Sequence, residues 1–241
     1  MCEATVSALT GLMDFGLVSS ASVMTPCPWF GAAAAWFRDH PEVDVGVHIT
    51  LNSEWERYRW RPVSTVDETS GLVDGDGFLP RTREEVARAR VEAVVAEARA
   101  QVEMARRSGL RLSHMDAHMF TFRHLFPAEY ARVAEEFGLT ALVKPFFDQI
   151  VCTPNSGPPE DRVEVLQAMF AELPPGLSCV LLHPACDTPE LRAIVPQWRY
   201  RVADQEAFQD ARLKEYVERL GIRIISYREL AERPRRTAAK N

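Results

Sequence analysis

The sequence has no run of about 18 uncharged apolar residues, the length a membrane-crossing helix needs, so no membrane partner is expected. It does not open with a basic segment leading into an apolar stretch, so no secretory leader is read and the cytoplasm is the expected location. Cysteine is sparse and scattered. The five residues Cys2, Cys27, Cys152, Cys179 and Cys186 contain no Cys-x-x-Cys pair, which argues against a disulfide framework or a thiolate zinc site. Positive charge is not in excess either: 28 Lys and Arg stand against 34 Asp and Glu, a net charge of −6. A binder that works by neutralising nucleic-acid phosphates is therefore not expected. Only residues 233–241 are basic, and they read as a flexible tail. No internal repeat, low-complexity tract or linker divides the remainder, so residues 1–232 are expected to form a single domain.

Apolar, β-branched runs alternate with helical patterns along nearly the whole chain. Strands are expected over 18–24, 43–49, 110–116, 141–144, 177–183 and 222–226. Helices are expected over 31–39, 82–108, 127–137, 161–171 and 204–220. The helix from 82 opens on a capping box, Thr82-x-x-Glu85, and its Arg- and Glu-rich face reads as solvated. Alternating βα order with non-alternating, buried strands implies an α/β fold with a parallel sheet covered by helices. Residues 51–81 are long for an idle connection and read as a functional loop. Asp74-Gly-Asp-Gly77 within it lacks the other acidic positions of a calcium loop and reads as a tight turn.

Histidines mark the ends of three expected strands: His48, His183, and the pair in Ser113-His-Met-Asp-Ala-His118. In parallel α/β folds ligands bind at the carboxyl ends of strands. His114, Asp116 and His118 are spaced by two and share one face of an extended backbone, a donor set suited to a divalent cation such as Zn²⁺ or Mg²⁺. His40 and His124 read as bystanders. Trp55, Tyr58 and Trp60 either wall a substrate site or pin the long loop to the body of the protein.

Several segments together resemble the YdjC-like carbohydrate deacetylases, a branch of the NodB-like deacetylase barrels. They are Gly16-Leu-Val-Ser-Ser-Ala-Ser-Val-Met24, Val45-Gly-Val-His-Ile-Thr-Leu51, Ser113-His-Met-Asp-Ala-His118 and Leu181-Leu-His-Pro184. Pro26-Cys-Pro-Trp-Phe30, Ser53-Glu-Trp55 and Tyr58-Arg-Trp60 resemble one subgroup. The resemblance covers nearly the entire sequence. It implies a distorted (β/α) barrel that removes N-acetyl groups from amino sugars with a bound divalent metal, Mg²⁺ or Zn²⁺. It further implies that His48 and His118 hold the metal, that His183 protonates the leaving amine, and that His114 and Asp116 orient the ligands. The expected partner is an N-acetylated sugar, with a homodimer left open.

The resemblance also implies a first strand ending in Asp-Asp, one carboxylate binding metal and the other activating water. Met13-Asp-Phe-Gly16 does not supply it, because Gly16 already begins Gly-Leu-Val-Ser-Ser and leaves no room for the intervening helix. Residues 3–15 register instead as the first helix, with Val6, Leu9, Met13 and Leu17 as its buried face and Asp14 an ordinary helix residue. About six of seven strands are then expected, through a start placed at an internal methionine or a truncated gene. Two imidazoles are one protein ligand short of a usual catalytic zinc site unless Asp116 substitutes. A non-catalytic carbohydrate-binding chain is therefore the alternative expectation. Another class of metal hydrolase is disfavoured by the lack of an opening His-x-His.

Overall fold

The computed structural model describes residues 1–143 and 146–232. The basic tail over 233–241 and the end of the strand expected at Lys144 lie outside the described residues. The elements in chain order are α1 (Glu3–Phe15), β1 (Ser20–Val23), α2 (Phe30–Asp39), β2 (Asp44–Ile49), α3 (Arg83–Val86), α4 (Val91–Arg107), β3 (Leu112–Ala117), α5 (Thr121–Leu125), α6 (Pro127–Glu136), β4 (Thr140–Ala141), β5 (Gln149–Cys152), α7 (Arg162–Ala171), β6 (Ser178–Leu181), α8 (Pro189–Ile194), α9 (Trp198–Ala207), α10 (Ala211–Arg219) and α11 (Tyr227–Ala231). Strands β1-β2-β3-β4 form one sheet and β5-β6 a second, and every pairing is parallel. This is the α/β, parallel-strand architecture that the βα alternation implies.

Local chemistry explains the main boundaries. Helix α1 starts where Thr5 Oγ1 accepts the Cys2 N–H at 3.2 Å and stops at Gly16, whose φ of +88° closes the helix in the left-handed region. Its fully buried side is Ala4, Ala8 and Leu12, which differs from the expected face. Of the expected residues only Leu17 is fully buried. Val6, Leu9 and Met13 instead line a cavity of about 2120 Å³ that both sheets share. Asp14 is an exposed helix residue.

The helix expected over 82–108 is two helices. The Arg90 N–H leaves the helical ladder to donate to Ser70 O at 3.0 Å, and the segment from Ala87 to Arg90 turns there to join the long loop. The helix expected over 204–220 is likewise divided into α9 and α10, with the Asp210 side chain capping the second. Residues 222–226 form no strand. Ile225 O accepts from Ser19 Oγ at 2.7 Å, and Ser20 Oγ accepts the Tyr227 N–H at 3.3 Å, so side chains of the β1 region take the place of a ladder. Strand β5 was not expected, because Gln149-Ile-Val-Cys152 is too short to show a period.

The long loop is tied down from behind. Glu97, fully buried on α4, accepts from Val63 N at 2.9 Å, Ser64 N at 2.8 Å and Ser64 Oγ at 2.6 Å. Gln101, one turn on, exchanges two bonds with the backbone of Thr50. The face of α4 read as solvated is thus in part a buried polar clamp. The Asp74 turn forms as expected, with Gly77 N donating to Asp74 O at 2.9 Å.

Candidate active site

Strands β2 and β3 are neighbours, and His48 is in register with Asp116. Residues paired across a ladder project to the same side, so the two side chains meet. Asp116 Oδ1 accepts from His48 Nδ1 at 2.8 Å, and Oδ2 accepts from Ser22 Oγ of β1 at 3.2 Å. Burial alone would raise the pKa of Asp116. The charge and hydrogen bond of His48 outweigh burial, and the net shift is downward. An ionised Asp116 holds the proton on His48 Nδ1 and leaves Nε2 as the lone-pair nitrogen.

His118 sits just past β3, at the start of a tight turn in which Met119 (φ +50°) and Phe120 (φ +56°) are both left-handed. Side chains rarely adopt this conformation, at roughly 1–3 kcal/mol per residue, and such strain collects at functional sites. Asn52 braces the turn, its amide contacting Met119 Sδ at 2.7 Å and its carbonyl accepting from Thr121 Oγ1 at 2.8 Å. His118 Nε2 lies 2.9 Å from Glu54 Oε2. Burial lowers the pKa of His118. For Glu54, burial acts upward but the hydrogen bond to His118 prevails, and the carboxyl stays below its usual range. Glu54 is not legible as a site residue in the sequence. It lay inside Ser53-Glu-Trp55, but a lone carboxylate in a loop carries no periodic signal.

The rings of His48 and His118 have centroids 5.5 Å apart. His114 does not join them. It is buried, with Nε2 at 3.0 Å from Ser22 Oγ and Nδ1 at 2.8 Å from Ser113 Oγ, and it stacks on Tyr227 at 3.9 Å. Its link to the pair runs through Ser22 to Asp116. His183, just beyond β6, lines the same cavity. The residue is exposed to that space, and desolvation by the protein around it pushes its pKa down to about 3, with the Arg201 cation as the next cause. Of the three aromatics, Trp55 lines the cavity. Trp60 is 2% exposed and donates from its indole to Asn52 O at 3.0 Å, and Tyr58 donates to Met1 O at 3.1 Å. His40 stacks on Trp36, and His124 is exposed.

The histidine pair fits one shared cation. With each nitrogen about 2.1 Å from a metal, two imidazoles at a tetrahedral angle have ring centres roughly 5 Å apart, close to the separation of 5.5 Å found here. Among the described residues, no group of three or more His, Cys, Asp or Glu is arranged to hold an ion. Asp116 does not extend the pair, since its oxygens are engaged by His48 and Ser22.

A family described as YdjC-like protein matches residues 1–219, and the chain belongs to that family. A carbohydrate deacetylase of Thermus thermophilus is 33% identical over 210 residues, 77% of this chain and 75% of that one. A carbohydrate deacetylase of Geobacillus stearothermophilus is 28% identical over 229 residues, 89% of this chain and 87% of that one. Among solved structures, a putative cellobiose-phosphate cleavage protein from Enterococcus faecalis has a TM-score of 0.79, 20% identity, and coverage of 95% of this chain and 94% of that one. The last likeness bears on the fold alone.

Proposed function

We propose that this member of the YdjC-like family hydrolyses the N-acetyl group of an amino sugar, with Mg²⁺ or Zn²⁺ held by His48 and His118. The observation that carries the reading is the convergence of these two imidazoles, 5.5 Å apart by ring centroid, at the carboxyl ends of adjacent parallel strands. The names of the relatives support the reaction class. When bound, the cation supplies Lewis acidity toward the acetamide carbonyl.

The remaining work falls to the chain itself. Asp116 fixes the tautomer of His48 through the bond at 2.8 Å. Burial keeps His118 neutral; with Nε2 donating to Glu54 at 2.9 Å, its lone pair lies on Nδ1. His183 also starts neutral, since its pKa is about 3. It must therefore gain a proton before giving one away. It takes that proton from the attacking water as the C–O bond forms, and passes it to nitrogen as the C–N bond breaks. Acetate and the amino sugar are the products. Trp55 offers an aromatic face to the sugar ring.

Acetate release from N-acetylglucosamine and its oligomers, with Mg²⁺ or Zn²⁺ added, tests the reading. Activity is expected to fall at least a hundredfold in His48→Ala and His118→Ala. Release unchanged by these substitutions would refute the assignment. One observation favours a second reading, a carbohydrate-binding chain without hydrolysis: among the described residues no group of three or more His, Cys, Asp or Glu is arranged to hold an ion. Saturable sugar binding without acetate release under any metal would select it.

A further inference from the structure

Behind the histidine pair, three side chains hold fewer protons than the gaps between them. A continuous path runs from Val45 O through Ser113, His114 and Ser22 to Asp116. Ser113 Oγ lies 3.2 Å from Val45 O and 2.8 Å from His114 Nδ1. Ser22 Oγ lies 3.0 Å from His114 Nε2 and 3.2 Å from Asp116 Oδ2. Neither Val45 O nor an ionised Asp116 brings a proton. Each hydroxyl brings one, and so does a neutral imidazole. Four gaps are thus served by three protons, and one gap is left empty.

The position of the empty gap decides the tautomer of His114. Beside either ring nitrogen, it would set a ring lone pair against a hydroxyl lone pair at 3.0 Å or less. Only the two ends of the path remain. At Asp116 it would deprive a buried carboxylate of a charge-assisted bond, about twice as strong as a neutral one. At Val45 O it deprives only a neutral carbonyl, so the empty gap lies there. Ser113 then donates to Nδ1, Nε2–H donates to Ser22, and Ser22 donates to Asp116. Burial lowers the pKa of His114, which keeps the ring neutral and the protons at three. The ring is also locked in place. Tyr227 stacks on it at 3.9 Å with 10° between the planes, and Gly46 leaves no room beside it even for a Cβ.

We propose that His114 is a positioning residue, held as the Nε2–H tautomer so that the one proton of Ser22 is committed to Asp116. With Oδ2 pinned by Ser22 and Oδ1 by His48 Nδ1 at 2.8 Å, the carboxylate cannot turn, and His48 keeps its Nε2 aimed at the site. The consequence for hydrolysis rests on the reading of His48 as a site residue; the tautomer of His114 does not.

The test is nuclear magnetic resonance on the full chain, isotopically labelled at its histidine nitrogens, in which proton–nitrogen correlations distinguish an N–H nitrogen from a lone-pair nitrogen. The signals are assigned through His114→Gln and His48→Gln. In the unsubstituted chain His114 is expected as Nε2–H and His48 as Nδ1–H. Ser22→Ala removes the acceptor of Nε2–H and frees Ser113 to donate to Val45 O, so His114 is expected to invert to Nδ1–H and His48 to lose its single tautomer. Ser113→Ala leaves the limb from His114 through Ser22 to Asp116 intact, and both rings are expected to stay as they were. A merely structural His114 would move the unfolding temperature without coupling the tautomer of His48 to a serine on another strand. His114 found as Nδ1–H in the unsubstituted chain, or both tautomers unchanged in Ser22→Ala, would overturn the proposal. If Ser22→Ala fails to fold, the unsubstituted chain and Ser113→Ala decide. Acetate release is measured separately, and in Ser22→Ala its kcat is expected to fall about tenfold with KM unchanged. The expected tautomers without release in any chain defeat the hydrolase and spare the positioning path, whereas release with the opposite tautomer does the reverse.

Discussion

Gly46 shows how much a single position in β2 governs at the site. A Cβ built on it would come within 2.6 Å of His114 Cε1, against the flat of a ring that is itself stacked on Tyr227. The ring cannot retreat, so Gly46→Ala must push it off Ser22, the serine that also binds Asp116. Overpacking of this kind costs about 1–3 kcal/mol. The urea midpoint of Gly46→Ala is expected to fall accordingly. Because the clash needs the imidazole, the double variant with His114→Ala should cost less than the sum of the two single changes; strict additivity would show that the glycine matters for another reason. At this scale the sequence was informative where histidines sat at strand ends and silent where a residue acts through shape. His48, Asp116 and His118 could be singled out by type and spacing. Glu54 could not, since its role arises from a partner more than fifty residues away that only the fold brings near.

Among the elements, α4 carries the most consequence for the site, because it holds the loop that delivers Trp55 and Glu54. Periodicity located this helix but misjudged both its start and its polar face. The start is displaced because the bond from Arg90 N to Ser70 O competes with the helical ladder. The polar face is misjudged because Glu97 and Gln101 are buried against loop backbone, and charge patterning alone cannot distinguish a solvated carboxylate from a satisfied one. Glu97 accepts from two backbone N–H groups and a hydroxyl of the loop, in addition to Gln101. In Glu97→Ala these donors lose their acceptor while still enclosed. Charged hydrogen bonds contribute about 1.5–3 kcal/mol each and do not add fully, so a loss of about 3 kcal/mol is expected. Thermal unfolding measures that loss. Faster hydrogen exchange confined to the amides of Val63 and Ser64 would locate it; uniform exchange across the chain would argue that α4 itself had been lost instead.

For the molecule as a whole, the parallel α/β architecture was legible because buried strands in this fold are continuous apolar runs separated by helices, a pattern that survives errors at individual boundaries. Short pieces were not legible. Strand β4 has two residues and is supported by Tyr130, whose hydroxyl donates to Met115 O at 2.6 Å and accepts from Leu142 N at 3.1 Å. Gathering several histidines around one cavity also sets the acid stability of the entire fold. Burial lowers the pKa of His114 and His118, and that of His183 to about 3. A lowered histidine pKa means the unfolded chain binds more protons below about pH 6.5, so stability falls as the pH drops through that point. Asp116 and Glu54, with carboxyl pKa values lowered on balance, act in the same direction at lower pH, whereas Asp204, raised by burial, opposes them. The unfolding temperature is therefore expected to decline already between about pH 6.5 and 5, before ordinary carboxylates titrate. Replacing His183 with Gln should flatten that segment without moving the steeper loss below about pH 4.5. A curve flat down to pH 5 would mean that the three imidazoles take up protons in the folded state as easily as in water, and that the cavity is far wetter than its enclosure by both sheets implies.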